Sequence, residues 1–430
     1  MKDTNKKDKL ASLITVICVL ALVVTSCCGY ILLGTFKPEM KESFENYLST
    51  IGSGENNKPA ETESYTARLM CAGDNIIHNY IYEQAASRSE NGGYDFSYAY
   101  DAIKSIISES DIAMINQETV ISDTIAPSSY PNFCSPAEIG DAITDLGFSV
   151  VNHANKHVGD KGSEGASHTY NYWTSKTGVL LTGLYQSKEE VTQIPTKEVN
   201  GITFSFIGVT EHINNSLSSD GMPYVICLNE EGKTTADVYN ELKDIIKKAE
   251  AVSDVVVMYV NYDNNEQSVP TTSQQDIANY LVSFGADVVI GSGTYTAQTM
   301  EIKDKADGSK AVIAYSLGNF ISGQNAKENM LGAIADIIFT KDGETGDVTI
   351  ASAKLIPIVT MYEANTANVR VLPLSVINEE TISTHGIRDI NLEYIETYFA
   401  ENIGEENLEK TVFDTDTILG EIEEDTTAEQ

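Results

Sequence analysis

Short apolar runs that favour β-strands alternate with amphipathic patterns that favour helices along most of this 430-residue chain. Alternation of this kind is typical of a layered α/β fold. The predicted strands are 67–71, 112–115, 149–152, 179–181, 202–209, 255–260, 287–290, 311–315, 334–339 and 348–356. The predicted helices are 98–108, 136–146, 167–176, 235–251 and 273–284. Because no helix separates the runs between 311 and 358, we expect a more antiparallel sheet or sheet edge there.

The N-terminal apolar segment predicts a membrane anchor. The uncharged run from Leu10 to Leu33 would be about 36 Å long as a helix that rises about 1.5 Å per residue, which is enough to cross a bilayer. Four lysines precede it, at positions 2, 6, 7 and 9. Positively charged flanking residues usually remain on the cytoplasmic side of a membrane. We therefore expect a single-pass protein of the cell membrane, with everything from about residue 37 outside the cell.

A lipoprotein signal is the alternative for the same segment. The small residues before Cys27 are typical of a cleavage site at which this cysteine becomes the lipidated first residue. The apolar run continues past Cys27 to Leu33, which favours the transmembrane helix. Both interpretations place the folded domain outside the cell.

Composition divides the chain into five parts. We predict a cytoplasmic N-terminus (1–9), a transmembrane helix (10–33), a linker (34–64), a folded domain (65–360) and a C-terminal extension (361–430). The linker is rich in Gly, Asn, Pro and Glu, which favour a flexible chain. The extension ends in a tail of mostly Glu, Asp and Thr, which we expect to be disordered.

The charge of the chain argues against nucleic acid as a partner. Its 63 Asp+Glu exceed its 28 Lys+Arg, so the formal net charge is −35. A polyanion would be repelled except at a local basic site or through bridging cations. We expect the partner to be an anionic surface polymer bound in that way, or a protein of the cell envelope.

Three cysteines remain in the part predicted to be exported. They are Cys71, Cys134 and Cys227, and they lie too far apart in sequence for a metal cluster or a redox pair. Since their number is odd, at least one is unpaired. We interpret them as small buried apolar residues.

Polar side chains directly follow several predicted strands. They lie in Gly73-Asp74, in Asn116-Gln117-Glu118, in the stretch from His153 to Gly162 and in the stretch from Tyr315 to Phe320. In α/β folds such strand ends meet at one edge of a sheet. Carboxylates, amide oxygens and imidazoles are the groups that hard or borderline cations bind. The pattern therefore indicates a candidate metal or catalytic site.

These motifs, in this order, resemble the CapA family of capsule and poly-γ-glutamate synthesis proteins. The resemblance covers about residues 66–358. It includes Ala154-Asn155-x-His157-x-x-Asp160-x-Gly162 and the intact string Tyr315-Ser316-Leu317-Gly318-Asn319-Phe320. It implies a calcineurin-like metallophosphatase fold, a four-layer sandwich of two stacked sheets flanked by helices. It also implies a role in assembling or anchoring a capsule or poly-γ-glutamate.

The resemblance implies roles for individual residues. The metal ligands would be Asp74, Glu118, Asn155 and His157, and the catalytic residues would be His157, Asp160 and Asn319. An active member would perform metal-assisted hydrolysis or transfer at a phosphoryl or amide-type centre. With mostly oxygen ligands, the cofactor would be one divalent ion such as Mn²⁺, Mg²⁺ or Ca²⁺, and none if the site is degenerate.

The chain departs from the family pattern at several site positions. A His-Trp-Gly-x-Glu-Tyr string is replaced by one that begins at Asn261, and a Gly-x-His-Pro-His string is replaced by Gly291-Ser292-Gly293-Thr294-Tyr295. None of the six histidines lies between His212 and His385, so the second half of the domain offers no imidazole to a metal. Asn261 and Asp263 remain as weaker ligands. The positions that mark a degenerate site are Lys156, Asn261, Gly293 and Tyr295.

Lys156 stands where the family has a second asparagine. An ammonium group about 4 Å from a divalent ion would be repelled by about 8 kcal/mol at an effective dielectric constant of about 20. Our hypothesis is that Lys156 replaces one metal and pairs with Asp74 and Glu118; the alternative is that it points to solvent. We therefore expect a degenerate, non-catalytic binding or scaffolding module, with an active metal-dependent hydrolase as the alternative.

Overall fold

The computed structural model describes residues 64–215, 217, 223–263 and 266–409. The predicted membrane segment and the end of the acidic tail, residues 410–430, lie outside this range. Among the residues described, no helix is long and apolar enough to cross a membrane.

Strands and helices alternate along the described chain as the sequence predicts. The strands are β1 (Ser64–Asn75), β2 (Ile112–Gln117), β3 (Phe148–Asn152), β4 (Leu180–Thr182), β5 (Thr196–Val199), β6 (Ile202–Thr210), β7 (Val255–Asn261), β8 (Val288–Ser292), β9 (Met300–Asp304), β10 (Lys310–Ala314), β11 (Asn319–Ile321), β12 (Leu331–Asp342), β13 (Val348–Glu363) and β14 (Ala367–Pro373). The helices are α1 (Asn79–Arg88), α2 (Ser97–Ile107), α3 (Glu138–Asp145), α4 (Gly162–Ser175), α5 (Thr235–Glu250), α6 (Thr272–Phe284), α7 (Glu379–Ser383) and α8 (Leu392–Asn402). Every predicted strand and helix is confirmed, with small shifts at the ends.

The strands form two sheets. The first has the order β14-β13-β12-β1-β2-β3-β4, with β11 beside β1, and the second has the order β5-β6-β7-β8-β10-β9. The strands β1 to β4 are parallel, as are β6, β7, β8 and β10. The strands β12, β13 and β14 are antiparallel, which confirms the expectation for the later runs of this region, whereas β10 lies in the other sheet and is parallel to β8.

The two sheets pack face to face around an apolar core. The rings of Phe204 on β6 and Phe339 on β12 lie 5.4 Å apart, edge to face. The hydroxyl of Tyr259 on β7 donates a hydrogen bond of 2.8 Å to the carbonyl of Ala72 on β1. These contacts join the sheets directly, so the fold is α/β with two stacked sheets and helices packed on them.

Helices α5 and α6 cover the second sheet, and both begin at capping boxes. Thr234 and Asp237 cap α5, and Thr271 and Gln274 cap α6, by mutual bonds between side chain and backbone. The buried residues of α5 recur at helical spacing and join the apolar cluster on the outer face of the second sheet.

Residues 361–409, which the sequence assigns to an extension, contribute to the same fold. Strand β14 pairs with β13 at the edge of the first sheet. On α8, the hydroxyl of Tyr398 donates to the carbonyl of Ala297 at 2.7 Å, and Leu408 forms a bridge with Leu355 on β13. The folded domain therefore continues beyond residue 360 to the end of the described chain.

The prediction that the cysteines are buried apolar residues is confirmed for two of the three. Cys71 and Cys134 are buried, Cys227 is partly exposed, and all three are free thiols.

Candidate functional site

The parallel register of the first sheet places three polar residues side by side. Asp74 at the end of β1 is opposite Asn116 on β2, and Asn116 is opposite Asn152 on β3. Asn261, at the end of β7 in the second sheet, reaches the same place, because its amide nitrogen lies 3.1 Å from a carboxylate oxygen of Glu118. Strand ends from both sheets thus converge at one place.

Gly73 allows the close approach that positions Asp74. A Cβ atom at Gly73 would lie 1.9 Å from the carbonyl oxygen of Gly318, which accepts a 3.0 Å hydrogen bond from the Asp74 amide. A side chain at position 73 would force the two segments apart, so the Gly-Asp pair is a packing requirement as well as a motif.

Asp74 and Glu118 form a fully buried carboxylate pair that shares one amide donor. The Nδ2 group of Asn116 donates to Asp74 Oδ1 at 2.6 Å and to Glu118 Oε2 at 2.7 Å. The backbone N–H of Gly293 donates to Asp74 Oδ2 at 2.8 Å. Burial raises the pKa of both carboxyl groups, and the Asp74 charge raises that of Glu118 further.

Glu118 Oε1 is buried and has no hydrogen-bond partner among the described residues. A buried carboxylate oxygen without a hydrogen bond is energetically unfavourable, and such atoms are typical of sites that bind a ligand or a cation.

Asn155 orders the loop after β3. Its Nδ2 group donates to the carbonyl of Gln117 at 2.9 Å, and its Oδ1 atom accepts the backbone N–H of His157 at 3.1 Å. Both ends of the amide are therefore engaged with the protein, and the side chain fixes the loop that carries Lys156 and His157.

His157 and Asp160 form a buried pair. Nδ1 of His157 lies 2.8 Å from Oδ2 of Asp160, and the same carboxylate oxygen accepts the backbone N–H of Phe133 at 2.6 Å. Because a carboxylate only accepts hydrogen bonds, this contact places a proton on Nδ1 of His157.

Lys156 is turned inward and only 6% exposed, so it does not point to solvent. Its ammonium nitrogen lies 4.1 Å from the centroid of the Tyr295 ring. Burial lowers the pKa of Lys156, while attraction to Glu118 and Asp74 opposes that shift. The hydrogen bonds of the two carboxylates come from Asn116, Asn261, Gly293 and Ser292, so the attraction of Lys156 is electrostatic.

Two residues of the motifs make their contacts elsewhere. His153 is buried against α4, where its Nε2 atom accepts a hydrogen bond of 2.7 Å from the Trp173 indole, and burial lowers its pKa to about 3. The amide nitrogen of Asn319, which is opposite Asp74 in the sheet register, donates to the Ser322 hydroxyl and to the Asn329 carbonyl, and its Oδ1 atom has no partner among the described residues.

A cleft of about 880 Å³ opens over the site. Lys156, His157 and Tyr295 line it, whereas Asp74 and Glu118 lie beneath its wall. The cleft also contains side chains that the sequence did not single out, because they belong to no motif. Among them are His78, Tyr130, Phe133, Asn132, Asn214 and Asn215.

The residues at this centre do not fit a two-metal site. N–H groups of the protein, together with the Lys156 cation, face the carboxylates where an ion would need lone pairs. Within the described parts of the chain, no three His, Cys, Asp or Glu side chains are grouped so as to hold a metal ion.

Comparison with known proteins identifies the family. The family model described as "Bacterial capsule synthesis protein PGA_cap" matches residues 68–324, which contain all the site residues above. The chain belongs to this family. The resemblance to CapA proteins is therefore confirmed.

Two curated relatives of this PGA_cap chain are CapA proteins. It is 24% identical over 201 residues to the PGA biosynthesis protein CapA of Bacillus subtilis (strain 168), and the aligned region covers 47% of this chain and 50% of that protein. It is 26% identical over 184 residues to the capsule biosynthesis protein CapA of Bacillus anthracis, covering 43% and 42%. The match thus spans about half the length of these relatives.

Solved structures are less similar. A crystal structure titled as a novel phosphatase from Mycoplasma pneumoniae has 9% identity and a TM-score of 0.39, and the match covers 69% of this chain and 94% of that one. A hypothetical protein from Thermus thermophilus has 13% identity and a TM-score of 0.36, covering 67% and 98%.

Proposed function

We propose that this PGA_cap protein is a membrane-anchored, extracellular CapA-like protein that takes part in assembling or anchoring capsule or poly-γ-glutamate. It acts as a binding or scaffolding module, and its metal site is degenerate. Family membership supports the capsule role, and the apolar run from Leu10 to Leu33 supports the anchor.

The observation that carries the non-catalytic assignment is the position of Lys156. Its side chain and the Tyr295 ring line the cleft, while Asp74 and Glu118 lie beneath. A ligand in the cleft would meet a lysine and a tyrosine where metal-assisted chemistry needs an exposed metal and its bound water.

The composition of the cleft supports binding. Tyr130 is 76% exposed at the cleft, and its ring lies 6.4 Å from that of Phe133. Exposed aromatic rings beside a pocket are frequent binding hot spots. Amide side chains nearby supply both donors and acceptors, and Lys156 supplies a cation, whereas Asp263 and Glu266 add negative charge to the lining.

The overall acidity of the chain sets a condition on polymer binding. With a net charge of −35, the protein repels an anionic polymer at long range. We therefore expect binding of poly-γ-glutamate to need divalent cations as bridges, and an envelope protein is the alternative partner.

Binding to immobilised poly-γ-glutamate in the presence of Ca²⁺ should be saturable and should weaken about tenfold in Tyr130→Ala, because one well-placed aromatic residue contributes more than about 1 kcal/mol. Biolayer interferometry measures both. Tyr280→Ala is the matched control, since Tyr280 is 53% exposed but lies outside the cleft. A chain that binds no polymer with or without Ca²⁺ would contradict polymer binding.

A metal-dependent hydrolase of the metallophosphatase type is the second candidate. The His157–Asp160 pair at the cleft favours it, because an imidazole oriented by a carboxylate is suited to acid–base chemistry. Turnover of bis(p-nitrophenyl) phosphate with Mn²⁺, lost in Glu118→Ala and His157→Ala, would support this candidate. Absence of turnover with any divalent ion would support the binding module.

A further inference from the structure

We infer that Lys156 is a built-in counter-cation, whose ammonium group closes the Asp74–Glu118 centre to divalent ions, and that replacing Lys156 by asparagine opens a latent metal site. This inference concerns the carboxylate pair itself and goes beyond polymer binding, on which it does not depend.

The carboxylate pair requires a positive partner. Asp74 and Glu118 are both 0% exposed and are joined through one amide group. Two carboxylates in so little space repel each other, and burial removes the water that would stabilise them. Lys156 supplies a positive charge that acts on both of them.

The lysine is held in place by several segments of the chain. Its backbone N–H donates to Asn261 Oδ1 at 3.3 Å, and its carbonyl accepts the backbone N–H of Asn214 at 2.8 Å. Its ammonium group packs on the face of Tyr295 at 4.1 Å. Because the backbone and the side chain are both fixed, the cation has a defined position rather than a range of exposed rotamers.

The same contacts connect Lys156 to the carboxylates. Asn261 accepts from the Lys156 backbone through Oδ1 and donates to Glu118 Oε2 through Nδ2 at 3.1 Å. Tyr295 has a left-handed backbone conformation with φ of 64°, which a bulky residue rarely adopts. It lies two residues after Gly293, whose backbone N–H donates to Asp74. A constrained loop thus places the ring against the lysine.

One carboxylate oxygen of the Asp74–Glu118 pair is free to bind a cation. Glu118 Oε1 has no partner among the described residues, and the Asp74 carboxylate is next to it through Asn116. An asparagine at position 156 would remove the repelling charge and add a carbonyl oxygen. Carboxylate and amide oxygens together suit Mn²⁺.

Calorimetric titration of the full-length chain with MnCl₂ alone tests the inference. We expect Lys156→Asn to bind one Mn²⁺ per chain at least tenfold more tightly than the wild type, and Mn²⁺ to raise the melting temperature of the variant but not of the wild type. Lys161→Asn is the matched control, because it makes the same substitution in the same loop and should leave Mn²⁺ affinity unchanged.

Lys156→Gln provides a second variant if the shorter side chain impairs folding. Tight Mn²⁺ binding by the wild type would overturn the inference, and so would an unchanged affinity in the folded variants. If neither variant folds, the wild-type titration decides, since absence of Mn²⁺ binding supports a closed site. Because the probe is the metal alone, failure of polymer binding leaves this result intact.

Discussion

Replacing Trp173 by alanine should lower the free energy of unfolding by about 3–5 kcal/mol, the loss expected when a large buried aromatic side chain is removed. Trp173 on α4 is 0% exposed, and it belongs to the main apolar core. Its indole also donates to His153, whose other ring nitrogen has no partner among the described residues. The substitution therefore creates a cavity and leaves a buried imidazole without any hydrogen bond. Urea denaturation followed by circular dichroism measures the change.

Trp173→Phe separates the two effects. Phenylalanine keeps much of the ring volume but cannot donate to His153, so we expect a smaller loss, of about 1–3 kcal/mol, from the unsatisfied imidazole. Because His153 begins the loop that carries Lys156 and His157, the variant should also weaken ligand binding in the cleft. A loss below about 1 kcal/mol in Trp173→Ala would contradict the proposed anchoring of this loop to α4.

Lys156→Met should lower the free energy of unfolding by about 1–3 kcal/mol, the range for leaving a buried polar group without its partner. Methionine preserves most of the apolar stem and its packing on Tyr295, so the loss reports the missing charge. The reason is that Asp74 and Glu118 would remain buried without their counter-cation. Equilibrium unfolding in urea, with EDTA present, measures it.

The double variant Lys156→Met/Glu118→Gln controls for packing. Removing one carboxylate charge together with the cation should recover part of the stability, because the two residues are electrostatically coupled. If the two single losses simply add in the double variant, Lys156 and Glu118 do not interact and the account of the pair is wrong.

Much of the fold and the location of the site follow from local sequence patterns. The apolar runs before Asp74, Glu118 and His153 predict strands, and the parallel register then brings their ends together. Capping residues such as Thr234 and Thr271 mark where helices begin. These signals are local, so one sequence is enough to find them.

Other features depend on contacts between distant segments. Strand β14 and helix α8 were not predicted, because their short patterns become stable only by pairing with β13 and packing on the core. The partner of His153 is twenty residues away on α4, and no pattern connects it with Trp173.

The same limit applies within the site. The sequence identifies Asn116 as part of a motif. Only the structure shows that its amide group donates to both Asp74 and Glu118. Tyr130 and Phe133 reach the cleft from the segment between β2 and α3, which has no periodic pattern to place it. The resemblance makes Asn319 a catalytic candidate, and the structure shows that its amide nitrogen bonds to its own loop while its Oδ1 atom is buried without a partner among the described residues.

The central claim is that Lys156 has taken the place of a metal ion over Asp74 and Glu118. Elemental analysis of the purified full-length chain, expressed in medium supplemented with Mn²⁺ and then desalted, tests it most directly. The account predicts well below one divalent ion per chain. About two tightly bound divalent ions per chain would contradict it.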